Sequence, residues 1–272
     1  MKRFPEKRAL ITGAGSGLGR ALALAFAKRG WRVAAADIDG ARAEETRGAI
    51  DAAGGTGLAI RCDVTRRAEI EAARGIVQRE FGGIDVLVNN AGIAAAGRIE
   101  DITPSEWDRI IAINLRGVID GCALFVPDLR RQGGGHIVNV SSCAGIATLP
   151  EMASYNATKA AVIALSETLR VELAPHGIGV TACCPTFIKT NLMERFTATE
   201  ERQRAVTQEF FDKSSYTAEA FAEHAIRSIE KNRMYAIPQM DGKLTWIIKR
   251  LFPETYYRVF AWEYARKMKR GD

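Results

Sequence analysis

Along most of the chain, short apolar runs rich in alanine and β-branched residues alternate with longer stretches whose apolar positions recur every three or four residues. The short runs predict strands over 8–12, 32–37, 57–62, 84–89, 136–141, 179–184 and 234–237, and the longer ones predict helices over 18–29, 40–53, 66–81, 104–132, 154–176 and 217–231. Gly30, Gly54, Gly82 and Gly133 fall at predicted helix ends. Strand and helix in regular alternation are the signature of βαβ units. Seven strands imply an α/β fold of Rossmann type, a doubly wound parallel sheet with helices on both faces, over residues 1–242.

Two segments stand outside that alternation. Residues 188–216, polar and aromatic, follow the carboxyl end of the sixth strand, where ligands bind in open α/β sheets, so they are placed to cover a substrate. Residues 243–272 form a helical C-terminal extension. Leu244, Ile247, Ile248 and Leu251 fall at i, i+3, i+4 and i+7, an apolar stripe, and Phe252-Pro253-Glu254 then ends one helix and begins another. Seven of the chain's 21 aromatic residues lie in the extension.

Charge is concentrated there too. The chain carries +6, but from Lys243 onward eight basic residues face three acidic ones, leaving only +1 on the first 242 residues. The main domain is therefore not suited to nucleic acid. The extension has three readings: packing on its own core or on another subunit, a lid over an apolar substrate pocket, or peripheral contact with a membrane. The N-terminus shows no signal-peptide pattern, and the uninterrupted apolar runs fall short of the ~20 residues that cross a bilayer. A cytoplasmic protein is expected, with membrane association through 243–272 as the variant. Cys62, Cys122, Cys143, Cys183 and Cys184 lack metal-ligand spacing and read as reduced core thiols, and three scattered histidines predict no metal site.

Candidate chemistry begins at the first strand, which runs into Thr12-Gly13-Ala14-Gly15-Ser16-Gly17-Leu18-Gly19 and then a helix. Glycines there let backbone approach a pyrophosphate, and the helix N-terminus offers unpaired N–H groups. Asp37 ends the second strand at the spacing that places a carboxylate on a ribose 2′-hydroxyl and repels a 2′-phosphate, so NAD is preferred over NADP; the alternative is that Asp37 caps the next helix. Neither Ala14 to Ser16 nor Ile38 supplies a cation for a 2′-phosphate. Downstream, Tyr155 and Lys159 stand four residues apart on one predicted helix face. An ammonium beside a phenol draws its pKa down from about 10, toward the range of a useful general base.

With these motifs the chain resembles the classical short-chain dehydrogenase/reductase (SDR) family, from about residue 7 to 240. The resemblance rests on Thr-Gly-x-x-x-Gly-x-Gly at 12–19, Asn89-Asn90-Ala91-Gly92 after the fourth strand, Asp63 after the third, Asn114 on a later helix, and Ser142 placed 13 residues before Tyr155. It implies a catalytic set of Asn114, Ser142, Tyr155 and Lys159. Tyr155 would be the general base, Lys159 would lower its pKa and hold the nicotinamide ribose, Ser142 would orient the substrate oxygen, and Asn114 would position a water leading to Lys159. Ser141 is the rival of Ser142. Cofactor contacts are implied at Gly13, Ser16, Gly17, Leu18, Gly19, Asp37, Asp63, Val64, Asn90, Ala91, Gly92, Tyr155, Lys159, Pro185, Ile188 and Thr190. A homodimer or homotetramer is implied as well. The chain departs from the family pattern at Thr186, where Pro-Gly is usual, and carries Cys143 directly after Ser142, a thiol that either lines the pocket or packs.

The function so indicated is NAD-dependent interconversion of a secondary alcohol and its carbonyl, with a hydrophobic lipid-, retinoid- or steroid-like substrate. The alternatives are small polar alcohols or hydroxyacyl thioesters and, in another class, a non-catalytic NAD-binding regulator or scaffold.

Overall fold

The structure, a computed structural model, describes residues 3–270. Met1, Lys2, Gly271 and Asp272 lie outside it, and with them one of the charges counted in the extension. The strands are β1 (Arg8–Thr12), β2 (Arg32–Asp37), β3 (Thr56–Arg61), β4 (Val86–Asn89), β5 (Ala95–Ala96), β6 (Gly135–Val140), β7 (Ile178–Cys183), β8 (Thr197–Ala198) and β9 (Tyr235–Ala236). Seven of them form one parallel sheet in the order β3-β2-β1-β4-β6-β7-β9, while β5 pairs with β8 in a separate two-stranded ribbon. The order reverses between β1 and β4, which opens the crevice at their carboxyl ends.

The helices are α1 (Gly17–Ala27), α2 (Gly40–Ala52), α3 (Arg67–Phe81), α4 (Pro104–Ile111), α5 (Gly117–Arg131), α6 (Ala153–Glu172), α7 (Glu201–Lys213), α8 (Ala218–Glu230), α9 (Met240–Leu251) and α10 (Pro253–Arg270). Side chains alternate across a strand, so the sheet buries both faces. One core joins Ile11, Val33 and Val88 to α1 and α8; the other joins Leu10, Leu87 and Ile137 to α3 and α5.

Three segments differ from the sequence-based expectation. The single helix expected over 104–132 is two helices joined by a π-helical turn, Ala112–Arg116, which carries Asn114. As one helical stretch, 104–131 is long and apolar enough to cross a membrane, but half of it is buried in the fold and Asp120 and Asp128 pair with Arg67 and Arg74 of α3. We read it as a core element. The excursion over 188–216 contains a full helix, α7, concealed in sequence by a polar surface. In the extension the predicted apolar stripe does not face the fold: Gly242, Thr245, Trp246 and Lys249 turn inward, and Leu244, Ile247, Ile248 and Leu251 face outward.

The crevice is held open by one cluster. The Thr12 hydroxyl accepts from the backbone N–H groups of Asn90 (3.0 Å) and Ala91 (3.1 Å), while Asn90 Nδ2 donates to the carbonyls of Thr12 (2.8 Å) and Gly13 (3.1 Å). Replacing Thr12 by valine keeps the shape and strands two donors. We predict that Thr12→Val lowers unfolding free energy by about 2–3 kcal/mol, read as a lower urea midpoint at unchanged slope.

Candidate active site

A cavity of about 430 Å³ occupies the carboxyl end of the sheet. Its floor is the glycine loop. Gly13 has φ +64°, and a Cβ there would lie 2.8 Å from Ala91 Cα; a Cβ on Gly19 would lie 2.1 Å from the Gly13 carbonyl oxygen. Loop, helix and β4 can approach this closely only without side chains at those points. Ser16 occupies the N-cap of α1 but makes no side-chain cap bond, which leaves the first N–H groups of the helix directed at the cavity. That cradle fits a dinucleotide pyrophosphate.

Asp37 lines the same cavity from the end of β2. Its carboxylate accepts from Gly15 N at 2.8 Å and Asp39 N at 3.0 Å. The cap of α2 is Asp39, which accepts from Ala41 N and Arg42 N, so the capping alternative for Asp37 does not hold. Asp63, Val64, Asn90, Ala91, Gly92, Pro185, Ile188 and Thr190 line the cavity, as do Gly13, Ser16, Gly17 and Leu18. Gly19 does not: it serves the packing of loop on helix.

The catalytic candidates gather where β6 and α6 meet. Ser142 caps a short turn after β6, accepting from Ala144 N at 3.1 Å and donating to the Pro185 carbonyl at 3.5 Å, and it lines the cavity together with Tyr155. Ser141, the rival, spends its hydroxyl on the Lys159 carbonyl at 2.7 Å. Lys159 Nζ donates to the Val140 carbonyl at 3.0 Å and lies 5.7 Å from the centre of the Tyr155 ring. Both side chains are buried, and burial governs their acidity. It pushes the Tyr155 phenol up to about 12, against a downward pull from Ser142, and brings the Lys159 ammonium down to about 8. The sequence-based expectation that Lys159 lowers the phenol is therefore not met in this arrangement. The cation sits over the ring and is committed to Val140, while burial disfavours the charged phenolate.

Asn114 sits on the π-helical turn behind the cavity wall. It is fully buried and does not line the cavity. Its Oδ1 accepts from Ile93 N (2.8 Å), and its Nδ2 donates to the Ile93 carbonyl (2.9 Å) and the Thr158 hydroxyl (3.3 Å). A side chain so engaged clamps the turn after β4. A Cβ on Gly92 would lie 3.2 Å from Asn114 Oδ1 and 3.4 Å from Lys159 Nζ, so the turn is packed between them.

Several lining residues escape sequence reasoning. Arg42, in the first turn of α2, reaches the cavity beside Asp37 and pairs with Glu194 at 2.9 Å. The position directly after Asp37 is not the only one from which a cation reaches this end. Ile146, Leu149, Met152 and Phe211 make the opposite end apolar, and α10 adds Tyr256 and Phe260. Only the helical spacing of 256 and 260 hints at this. The extension is secured by Tyr264, whose hydroxyl donates to Glu151 Oε1 at 2.7 Å, and by a hydrogen bond from Lys249 to the Ile146 carbonyl. Arg202 of α7 holds the same Glu151 at 2.8 and 2.7 Å.

A family described as short chain dehydrogenase matches residues 7–201. The probable oxidoreductase EphD of Mycobacterium tuberculosis is 36% identical over 260 residues, which is 92% of this chain but 44% of that protein, so this chain spans less than half of that relative. A 3β-hydroxysteroid dehydrogenase of Mediterraneibacter gnavus is 40% identical over 199 residues, 73% of this chain and 72% of that one. The crystal structure of a short chain dehydrogenase/reductase from Burkholderia phymatum in complex with NAD superposes with a TM-score of 0.88 at 30% identity, covering 94% of this chain and 96% of that one. Similar solved structures include complexes with NADH and with NADPH.

The acidity of Lys159 sets a stability prediction. Folded, the ammonium loses its proton near pH 8, and unfolded near 10.5. Between these values the unfolded chain binds more protons, so stability rises with pH through this group. Relative to Lys159→Met, the wild type should gain up to about 1.4 kcal/mol per pH unit from pH 8 to 10, followed by denaturant titration at each pH.

Proposed function

The chain belongs to the short-chain dehydrogenase/reductase family and is an oxidoreductase of that family; from that premise we propose that it uses NAD to interconvert a hydrophobic secondary alcohol and its carbonyl. The observation that carries the reading is the meeting of Ser142, Tyr155 and Lys159 in one cavity with the glycine loop and Asp37.

The dinucleotide, when bound, supplies the acceptor for the hydride from the carbinol carbon. What remains for the protein is the hydroxyl proton, and Tyr155 is the group placed to take it. A substrate oxygen held between Ser142 and Tyr155 would be oriented by the serine; in carbonyl reduction the neutral phenol gives it the proton, and in alcohol oxidation Tyr155, once ionised, takes the hydroxyl proton. Lys159 lies 5.7 Å from the centre of that ring, where its ammonium works against burial and favours the ionised form that the oxidising direction needs.

NAD is favoured over NADP by the Asp37 carboxylate, buried at the ribose end of the cradle with its charge turned to the cavity. Arg42 also feels Asp37, but it makes its ion pairs with Glu194 and Asp39, so two further carboxylates share its charge. A hydrophobic substrate is supported by the apolar end of the cavity under α10, and by the relative whose name assigns it a hydroxysteroid.

Tyr155→Phe should abolish turnover while leaving NAD affinity within about twofold, compared by NADH formation and by calorimetric titration. Near-normal turnover in that variant would end the mechanism. Asp37→Asn keeps the shape and removes the charge, and it should narrow the ratio of kcat/KM for NAD over NADP by about tenfold. Across secondary alcohols graded by chain length, kcat/KM should rise with length; a preference for short polar alcohols would refute the substrate class.

A further inference from the structure

The extension presents two unlike faces. Inward, α9 offers Thr245 and Trp246, and α10 offers Tyr256, Phe260 and Tyr264. Outward, Leu244 is 58% exposed, Leu251 63% and Trp262 61%, with Ile247, Ile248 and Val259 also exposed. Exposed apolar residues scattered singly need no explanation, but here they follow one side of α9 and continue on α10. Basic residues accompany them: Arg250, Arg258, Arg266 and Lys269 are exposed, against Glu254 and Glu263. Two of these cations lie over indole rings, Arg250 over Trp246 at 5.7 Å and Arg266 over Trp262 at 5.6 Å.

We infer that the outer face of α9 and α10 docks on the surface of an anionic phospholipid bilayer. A helix pair with aliphatic and indole side chains on one face and cations at its border matches the headgroup boundary, where apolar groups enter the acyl region and cations meet phosphate. The charge argues against a second copy as occupant. An isologous dimer places a patch against itself, so this basic border would meet an equally basic border, whereas an anionic surface complements it. Placement adds a consequence. The helix whose outer face would touch lipid carries Tyr256 and Phe260 into the cavity on its inner face, so an apolar molecule leaving the bilayer is separated from the site by the thickness of one helix.

The test uses the full chain and no catalytic readout, so it stands or falls separately from the proposed reaction. Vesicles of phosphatidylcholine alone and of phosphatidylcholine with phosphatidylglycerol in a three to one ratio are sedimented with the protein at low and high salt. Protein should pellet with the anionic vesicles at low salt and be released at high salt. Ile247→Glu combined with Leu251→Glu should weaken this binding at least about tenfold at an unchanged melting temperature, and Arg258→Gln combined with Arg266→Gln should do so by about tenfold on anionic vesicles only. Failure to pellet with anionic vesicles would overturn the inference. So would a dimer in gel filtration that the glutamate variant splits while vesicle binding is absent, because the face would then belong to a second copy.

Discussion

The contact on which this molecule turns is the clamp between the ends of β1 and β4, where one threonine hydroxyl holds two backbone N–H groups and one asparagine amide holds two backbone carbonyls. Parallel strands diverge at a reversal of strand order, and the backbone groups exposed there have no neighbouring strand to pair with. Thr12 and Asn90 satisfy them without filling the space between. The crevice is thus a product of hydrogen-bond accounting: its walls are the groups left after β1 and β4 part, and the glycine loop lies in it because Gly13 is bound to the same asparagine. Asn114 repeats the device one turn later by fastening Ile93.

Within the crevice, burial and charge oppose one another. Enclosing Tyr155 and Lys159 removes water that would stabilise either ion, so the phenol holds its proton more tightly and the ammonium less tightly than in solution. At neutral pH the pair is then a phenol beside a largely protonated lysine. Such a pair gains most from a charge brought by a ligand, since a low dielectric strengthens each new interaction. Among the neighbours of Tyr155, Ser142 is the group that pulls the phenol toward ionisation.

Features encoded by local spacing were legible in the sequence. All seven main strands, the glycine loop, Asp37, and the Ser142, Tyr155 and Lys159 set are read from residues adjacent in the chain or one helical turn apart, and the structure places them together. What escaped was decided by contacts between distant segments. The reach of Arg42 depends on the path of α2. The side of α9 that packs is chosen by Cys143, Thr186 and Tyr235, not by the apolar period, so a regular stripe ended on the outside. The π-helical turn at Asn114 has no periodic signature of its own. For Tyr155, the spacing named the correct neighbour but carried no information about solvent, and burial reversed the direction of the shift.

Gly242 shows how far the extension belongs to the fold. A Cβ at this position would lie 2.7 Å from Cys143 Sγ and 3.0 Å from the Thr186 methyl, the two residues at which the chain departs from its family's usual pattern. The departures and the extension therefore interlock: α9 enters over a threonine and a thiol, and only glycine leaves room for them. The matched family span closes at residue 201, yet the walls of the cavity run on to Phe260. A side chain at 242 would therefore press on the residue that follows Ser142 and on the one that follows Pro185, so the packing of the extension and the shape of the pocket are fixed by the same contact.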